Sequence, residues 1–419
     1  MKKKLNLLFW VVITANMLFA CGGGGSTAPA GPTIVNLSTF QNASVVIGQS
    51  NFNGGTANQG GAAGANTFST PYGKPVVYNG RLYAPDYSNN RVLGFNTVPT
   101  SNNASADFVL GQPDFFTTTP GSAANQMRGP ESIRVSGGKL LVDEYSNNRI
   151  LIWNSAPTTS TQPADVVVGQ TGFGLTGSSC TQAGLKNSES IETAGGKLIV
   201  ADSNNNRVLI WNTIPTSNGV PADVVLGQNS FTTCIANDDD QNGVQDVAPT
   251  ARTLSYPSDV WSDGTRLIVA DANNNRVLIW NSIPTSNFTP VDVVLGQGDF
   301  THKAINDDNQ DGVADANPTA RTLSFPYYLD SNGTQLVVSD IGNSRVLIWN
   351  TIPTSNFTAA NVVLGQGDFT HYTANDDNQD GVADANPTAR TLRSPTGVYI
   401  LGTKLFIGDH SNSRYLIFE

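Results

Sequence analysis

At 419 residues with 33 acidic against 23 basic side chains, the chain carries a formal charge of −10. An acidic surface of that size repels phosphate backbones, which argues against nucleic acid as a partner. The apolar share, 39% before 41 glycines are counted, is that of a globular chain, and three cysteines are too few to staple a fold this long.

Lys2, Lys3 and Lys4 open the chain, and the apolar run after them is too short and too interrupted, by Asn6 and Asn16, to span a membrane. This predicts a secretory leader over residues 1–20. Its loss removes three basic residues and no acidic one, leaving 33 against 20, a charge of −13. The leader ends Leu18-Phe19-Ala20-Cys21, which resembles the lipobox of bacterial lipoproteins. That resemblance implies a lipid on Cys21 and a place in the bacterial cell envelope, periplasmic or cell-surface, with the membrane touched only through the anchor. An ordinary secretory signal with an incidental cysteine is the other reading. Residues 21–43 begin Cys-Gly-Gly-Gly-Gly-Ser and read as a Gly/Ser/Pro-rich tether, with the folded domain over 44–419.

From there the chain repeats itself. Arg91, Arg149, Arg207, Arg276, Arg345 and Arg414 follow one another at spacings of 58, 58, 69, 69 and 69 residues, each followed by an apolar run. A second word, apolar-apolar-apolar-Gly-Gln, places Gln112, Gln170, Gln228, Gln297 and Gln366, and a sixth copy with Gln49 stands alone at the front. Each cell holds four short strand signals separated by turn residues. In the fourth they cover 259–262, 266–270, 276–281 and 291–295. Four strands per cell with no helical period describe a propeller blade, so the fold class is all-β, a six-bladed β-propeller of four-stranded antiparallel blades. The last cell stops after three strands, and the orphan segment at 45–48 supplies the fourth, closing the ring and leaving no open sheet edge.

The recurring Asp-x-x-Asn-x-Arg, preceded by Pro and a Gly turn, is similar to the NHL repeat, which implies the same six-bladed fold. The columns themselves (Asp86, Glu144, Asp202, Asp271, Asp340, Asp409 before the arginines, and Asn89, Asn147, Asn205, Asn274, Asn343, Asn412 between them) recur in every cell. A residue every blade needs is one that builds a blade. The acid is expected to bond the arginine across the turn and the Asn to adopt the positive φ of the hairpin. The Phe column (Phe52, Phe115, Phe173, Phe231, Phe300, Phe369) and the Trp column (Trp153, Trp211, Trp280, Trp349) read as packing between blades.

The 11-residue growth in spacing comes from three acidic inserts at 237–246, 306–315 and 375–384. Each reads Asp-x-[Asp/Asn]-x-[Asp/Asn]-Gly-x-x-Asp. Alternate oxygen side chains, a Gly turn and the carbonyl after it can wrap one hard cation, Ca2+. The candidate ligands are Asp238, Asp240, Asn242, Val244 (carbonyl) and Asp246; Asp307, Asn309, Asp311, Val313 (carbonyl) and Asp315; and Asp376, Asn378, Asp380, Val382 (carbonyl) and Asp384. The inserts resemble the calcium loops of dockerins and thrombospondin type 3 repeats. They depart from an EF-hand at the twelfth position, where Pro249, Pro318 and Pro387 replace the bidentate Glu. A solvated acidic loop is the other reading. Propeller topology places all three inserts on one face of consecutive blades. Cys180 and Cys234 fall in two successive connections, where they either bridge adjacent blades or remain separate thiols.

Catalysis would need convergent titratable groups at the axial mouth, where the inner strands start. Glu131, Glu189 and Asp259, with Glu192, Asp330, Tyr327 and Tyr328 nearby, are the candidates, against ordinary solvation of a channel mouth. Some six-bladed relatives hold a metal there. His302, His371 and His410 all read as lying elsewhere, so a carboxylate-bound calcium of the gluconolactonase type is the enzymatic option, a metal-dependent hydrolase or lyase. The expected function is a lipid-anchored, calcium-stabilised, monomeric binding or scaffolding module for a protein or glycan ligand of the cell envelope.

Overall fold

A computed structural model describes residues 34–419; the leader, Cys21 and the first part of the tether lie outside the described residues. Six sheets of four antiparallel strands follow one another around a ring, and among the described residues the helical segments are single 3-10 turns. Blades 1 to 5 occupy 76–110, 130–168, 190–226, 257–295 and 326–364. Blade 6 takes its inner three strands from the end of the chain and its outer strand, Val45–Ile47, from the front, with Val45, Val46 and Ile47 opposite Ile417, Leu416 and Tyr415. In blade 4 the strands are Pro257–Ser262, Leu267–Asp271, Arg276–Trp280 and Val293–Leu295, so the outer strand is two residues shorter at its start than the apolar pattern suggests.

The tether ends sooner than the Gly/Ser/Pro composition suggests. Val35, Leu37 and Ala43 are buried, and Val35 exchanges backbone bonds with the Gln335 side chain at 2.7 and 2.9 Å. One valine, one leucine and one alanine side chain supply the apolar surface that docks the segment. It also completes a latch that runs round the ring. The middle residue of each short outer strand has its free N–H and C=O taken up by the loop before the next outer strand. Val225, for example, donates to Asn287 Oδ1 and accepts from Phe288 N, both at 3.0 Å. Val46, Val109, Val167 and Val294 are latched in the same way, and Val363 receives Phe40 N at 3.0 Å. Sheet edges that would otherwise template pairing with other chains are thereby satisfied.

The polar columns are structural, in a way the sequence fits only partly. Each arginine is fully buried and its Nε donates to the acid five residues before it, at 2.6 to 2.8 Å in all six blades. The guanidinium then reaches both neighbouring connections. Arg276 donates to the carbonyls of Thr250 and Thr253 at 3.1 and 2.9 Å and of Phe300 at 2.7 Å. Arg414 makes the corresponding bond to Phe52 at the front of the chain, while Arg149 uses the Ser122 carbonyl instead of the Phe column. The Asn column does not take the positive φ. Asn274 donates to Asp271 at 2.8 Å, and the left-handed residue is the next one, Asn90, Asn148, Asn206, Asn275, Ser344 or Ser413, at φ 50° to 55°. One 3-10 turn precedes it, so the reversal falls one position later than a two-residue hairpin would put it. Each Gln of the second word ties that left-handed residue's carbonyl to the outgoing connection; Gln297 Nε2 reaches Asn275 O and Ala304 O at 3.1 and 2.9 Å. The tryptophans are buried, and Trp211 Nε1 caps the Val220 carbonyl at 2.9 Å.

Removing one partner of a buried ion pair strands the other. Asp271→Ala should therefore cost about 3–5 kcal/mol by urea denaturation; a loss below about 1 kcal/mol would mean the column does not hold the blade.

Candidate functional site

The inserts follow the outer strands of blades 3, 4 and 5 and dock on the second-to-third-strand turn of the next blade. Asn237 and Asn274 exchange amide bonds at 2.9 Å in both directions, and Asn306 with Asn343 and Asn375 with Asn412 repeat the pair. This places the three inserts at the same end of the ring. The next residue, Asp238, Asp307 or Asp376, is buried. Its two oxygens accept backbone N–H groups four and five residues on: Asn242 and Gly243 at 3.0 and 2.9 Å, Asp311 and Gly312 at 3.1 and 2.9 Å, Asp380 and Gly381 at 3.1 and 2.8 Å. Asn242, Asp311 and Asp380 accept from Val244, Val313 and Val382, and Asp246, Asp315 and Asp384 from the residue after the buried acid.

In the first insert Asp238, Asp240 and Asp246 each bring an oxygen within 4.8 Å of the others, and among the described residues this is the group of acids that does so. The second and third inserts have an amide, Asn309 or Asn378, in place of Asp240. The acid that does receive a protein cation is a different one. Asp239, Asp308 and Asp377 pair with Arg252, Arg321 and Arg390 at 2.8 Å, and these arginines lie over Phe288, Phe357 and Phe40 at 4.8, 4.7 and 4.4 Å. The sequence pattern offered no hint of that staple, because Asp239, Asp308 and Asp377 sit at an "x" of the ligand motif. Cys180 and Cys234 are bonded across two successive connections, with Cα atoms 6.4 Å apart.

At the axis the structure differs from an open, solvated mouth. Glu131, Glu189, Glu192, Asp259 and Asp330 are all buried, because the inner strands converge until there is no channel. A Cβ on Gly397 would collide with the Gly73 carbonyl, and one on Gly73, at φ +113°, with that of Glu131. Asp259 is engaged by Lys74, whose Nζ is 2.7 and 2.9 Å from its oxygens, and by Leu329 N, Val260 N and Ser190 Oγ. Below it Arg134 pairs with Glu192 at 3.1 Å, and burial raises Asp330 to about 6 against the pull of Arg134 and Lys74. Lys74 and Arg134 were missed because each stands in an inner-strand slot that is apolar or uncharged in several other cells.

Glu131 and Glu189 do meet. Burial first, and then the charge of Glu189, push the Glu131 carboxyl well above the carboxylate range; burial also raises Glu189. Tyr328 donates to Glu131 at 3.3 Å, and Tyr256 donates to Glu189 Oε1. Asp143, unremarked in the sequence, is buried beside them, accepts Ser188 Oγ at 2.6 Å and is raised by burial. Glu131 and Glu189 thus face each other, while Asp259 is paired with Lys74. His302 and His371 pair with Asp299 and Asp368 beside the inserts at 2.8 Å. His410, placed away from the axis by sequence, packs against Tyr72 at 4.9 Å above the acid pair, because the turn that carries it opens at the same end as the inner strands.

No protein-family model matches the chain and no curated protein is similar to it. Solved structures share the fold at low identity. A Bacteroides thetaiotaomicron protein of unknown function has a TM-score of 0.47 at 12% identity over 89% of this chain and 75% of its own. Hydrazine synthase of Kuenenia stuttgartiensis has 0.44 at 11% over 94% and 99%, and virginiamycin B lyase of Staphylococcus aureus 0.38 at 13% over 85% and 97%. Likeness at this level adds nothing to the fold that the strand order already shows.

Carboxyls whose pKa is raised by folding bind more protons folded than unfolded, so they favour the fold at low pH and their contribution is lost as pH rises from the unfolded value near 4 through the folded one. Thermal stability measured in chelator should fall as the pH rises from about 4. Glu131→Gln, which mimics the protonated form, should melt higher than the parent at the upper end and near it at the lower. Parallel curves for the two proteins would contradict a raised Glu131 carboxyl.

Proposed function

We propose that the chain is an extracytoplasmic, lipid-anchored propeller of the NHL type, stabilised by calcium, that acts as a binding module for a protein or glycan ligand of the cell envelope. The observation that carries the calcium reading is the buried first aspartate of each insert. Its oxygens are preset by two backbone N–H groups, and in the first insert two further carboxylates crowd it while the nearby Arg252 is spent on Asp239. Like charges held this close repel unless a cation sits between them. The lipobox-like Leu18 to Cys21 supports the anchor. The binding reading draws on the same face. Val244, Val313 and Val382 are 66%, 65% and 67% exposed, and a cleft of about 630 Å³ between the first two inserts is lined by Asn237, Gln245, Asn273, His302, Lys303 and Ile305. Side-chain amides interleaved with apolar contacts suit a polar polymer lying across the blades.

Sites with dissociation constants near 10⁻³ to 10⁻⁴ M would each add about 1.4 to 2.7 kcal/mol at about 10 mM calcium. Three of them should raise the melting temperature by roughly 5–10 °C. Asp238→Ala, Asp307→Ala and Asp376→Ala combined should abolish the response. A melting curve indifferent to calcium and to chelator would remove calcium from the account, and calcium-independent capture of envelope glycans would separate the ligand from the loops.

A further inference from the structure

The cleft between the first two inserts recurs one blade on. Thr301, His302, Lys303, Ala304 and Gly312 line it from the connection that carries the second insert, and Ala248 from the end of the first. A second cleft of about 320 Å³, between the second and third inserts, is lined by Thr370, His371, Tyr372, Thr373, Gly381 and Asn317. Each of these six lies 69 positions after its counterpart, the spacing of the blades themselves. Both clefts hold their histidine in the same way. Nδ1 of His302 and of His371 meets Asp299 and Asp368 at 2.8 Å, so Nε2 is the ring nitrogen left without a partner. The row ends at the disulfide. Asn206 Nδ2 donates to the Cys234 carbonyl at 3.0 Å as Asn275 Nδ2 does to that of Lys303 at 2.9 Å, so Cys234 stands one blade earlier in the place of Lys303, and its bond to Cys180 occupies that interval.

The lining of the first cleft runs against the composition of the chain. With 33 acidic and 23 basic residues overall, the protein presents there a lysine and a histidine and no Asp or Glu. The nearby acids are turned elsewhere: Asp299 to His302, Asp246 to the Asp239 N–H, and Asp239 to Arg252. Lys303 is half-buried, and among the described residues its Nζ meets no carboxylate and no hydrogen-bond acceptor. The hydroxyl of Ser255, a residue 5% exposed, and the side-chain amides of Gln245 and Asn273 are without partners there too. Polar groups drawn into a cleft and left unpaired give up part of their hydration, which a ligand that bonds them restores. Amide, hydroxyl and imidazole groups brought together match the hydroxyls around a sugar ring, and one ammonium among them matches a carboxylate on it. Two copies of the cleft at a fixed interval suit a ligand that repeats its own chemistry, as a polysaccharide does and an ordinary peptide does not.

We propose that the two clefts are successive subsites for one acidic polysaccharide, with a uronate unit held in the first by Lys303, His302 and Ser255 and the continuing chain in the second by His371 and Tyr372. This rests on the reading of the chain as a binding module and narrows its ligand. The probes are hexasaccharides of galacturonate, of mannuronate and of glucuronate alternating with N-acetylglucosamine, titrated into the full chain by calorimetry at fixed calcium, against neutral cellohexaose and an acidic hexapeptide. At least one acidic hexasaccharide should bind saturably, about tenfold or more tighter than cellohexaose. Lys303→Gln should remove that preference at an unchanged melting temperature, while Lys186→Gln, which deletes an exposed lysine equally free of partners outside the clefts, should leave it. Ala248→Glu sets a carboxylate into the exposed cleft wall, should weaken the acidic hexasaccharide likewise, and carries the test if the first variant does not fold. Tyr372→Ala should weaken the hexasaccharide and spare the disaccharide, since only the longer chain reaches the second cleft. Equal affinity for cellohexaose, or capture of the peptide in place of the sugars, overturns the proposal and leaves a binding module; no binding of any probe overturns both. An equal loss in Lys303→Gln and Lys186→Gln would reduce the effect to net charge and overturn the site.

Discussion

Burying a guanidinium and a carboxylate together costs several kcal/mol of lost hydration, and the cost is offset only where the remaining donors and acceptors are all used. Each blade meets that condition at the same place. The acid holds its arginine and asparagine, while in five blades the arginine holds carbonyls of the connections on both sides, as Arg276 does with Thr250, Thr253 and Phe300; Arg149 in blade 2 holds only the incoming one, through Ser122, Ala123 and Gln126. The pair is thus the joint where a hairpin, the incoming connection and the outgoing connection are fixed relative to one another. The six columns belong to construction for that reason, and binding has to be sought among residues that differ from blade to blade.

A propeller must also satisfy the polar edges of its outer strands and close on itself. Here both needs are met by short elements. Outer strands of three residues leave one middle residue to be latched by the neighbour, and the front of the chain serves twice, as the outer strand of blade 6 and, through Thr39 and Phe40, as the latch on Val363 of blade 5. Phe40 additionally receives Arg390 from the third insert. The segment is a working part of the ring, so unlatching it would free two blade edges and one insert together.

One end of the ring collects nearly everything that is not repeated six times. The inserts, their clefts and the Glu131–Glu189 pair lie there, whereas deeper in the axis Lys74 pairs with Asp259 and Arg134 with Glu192, and Asp330, buried beside them, accepts Ile400 N at 2.6 Å.

Blade number, strand count per blade, the closing role of Val46 and the acid-to-arginine bond were all readable from the chain alone, because each is a short-range pattern multiplied by six and ring closure leaves one place for the odd strand. The position of the inserts at one end of the ring was readable for a similar reason, since they are local in sequence and occur three times. Lys74, Arg134 and Asp143 were not. Each occurs once, in a slot where other cells carry something different, and their partners are distant in sequence: Ser188 lies 45 residues from Asp143, Glu192 58 from Arg134 and Asp259 185 from Lys74. Spacing along a chain says nothing about which singular side chains meet on an axis to which six strands converge; only the closed ring sets Glu131 against Glu189 and gives Asp259 a lysine.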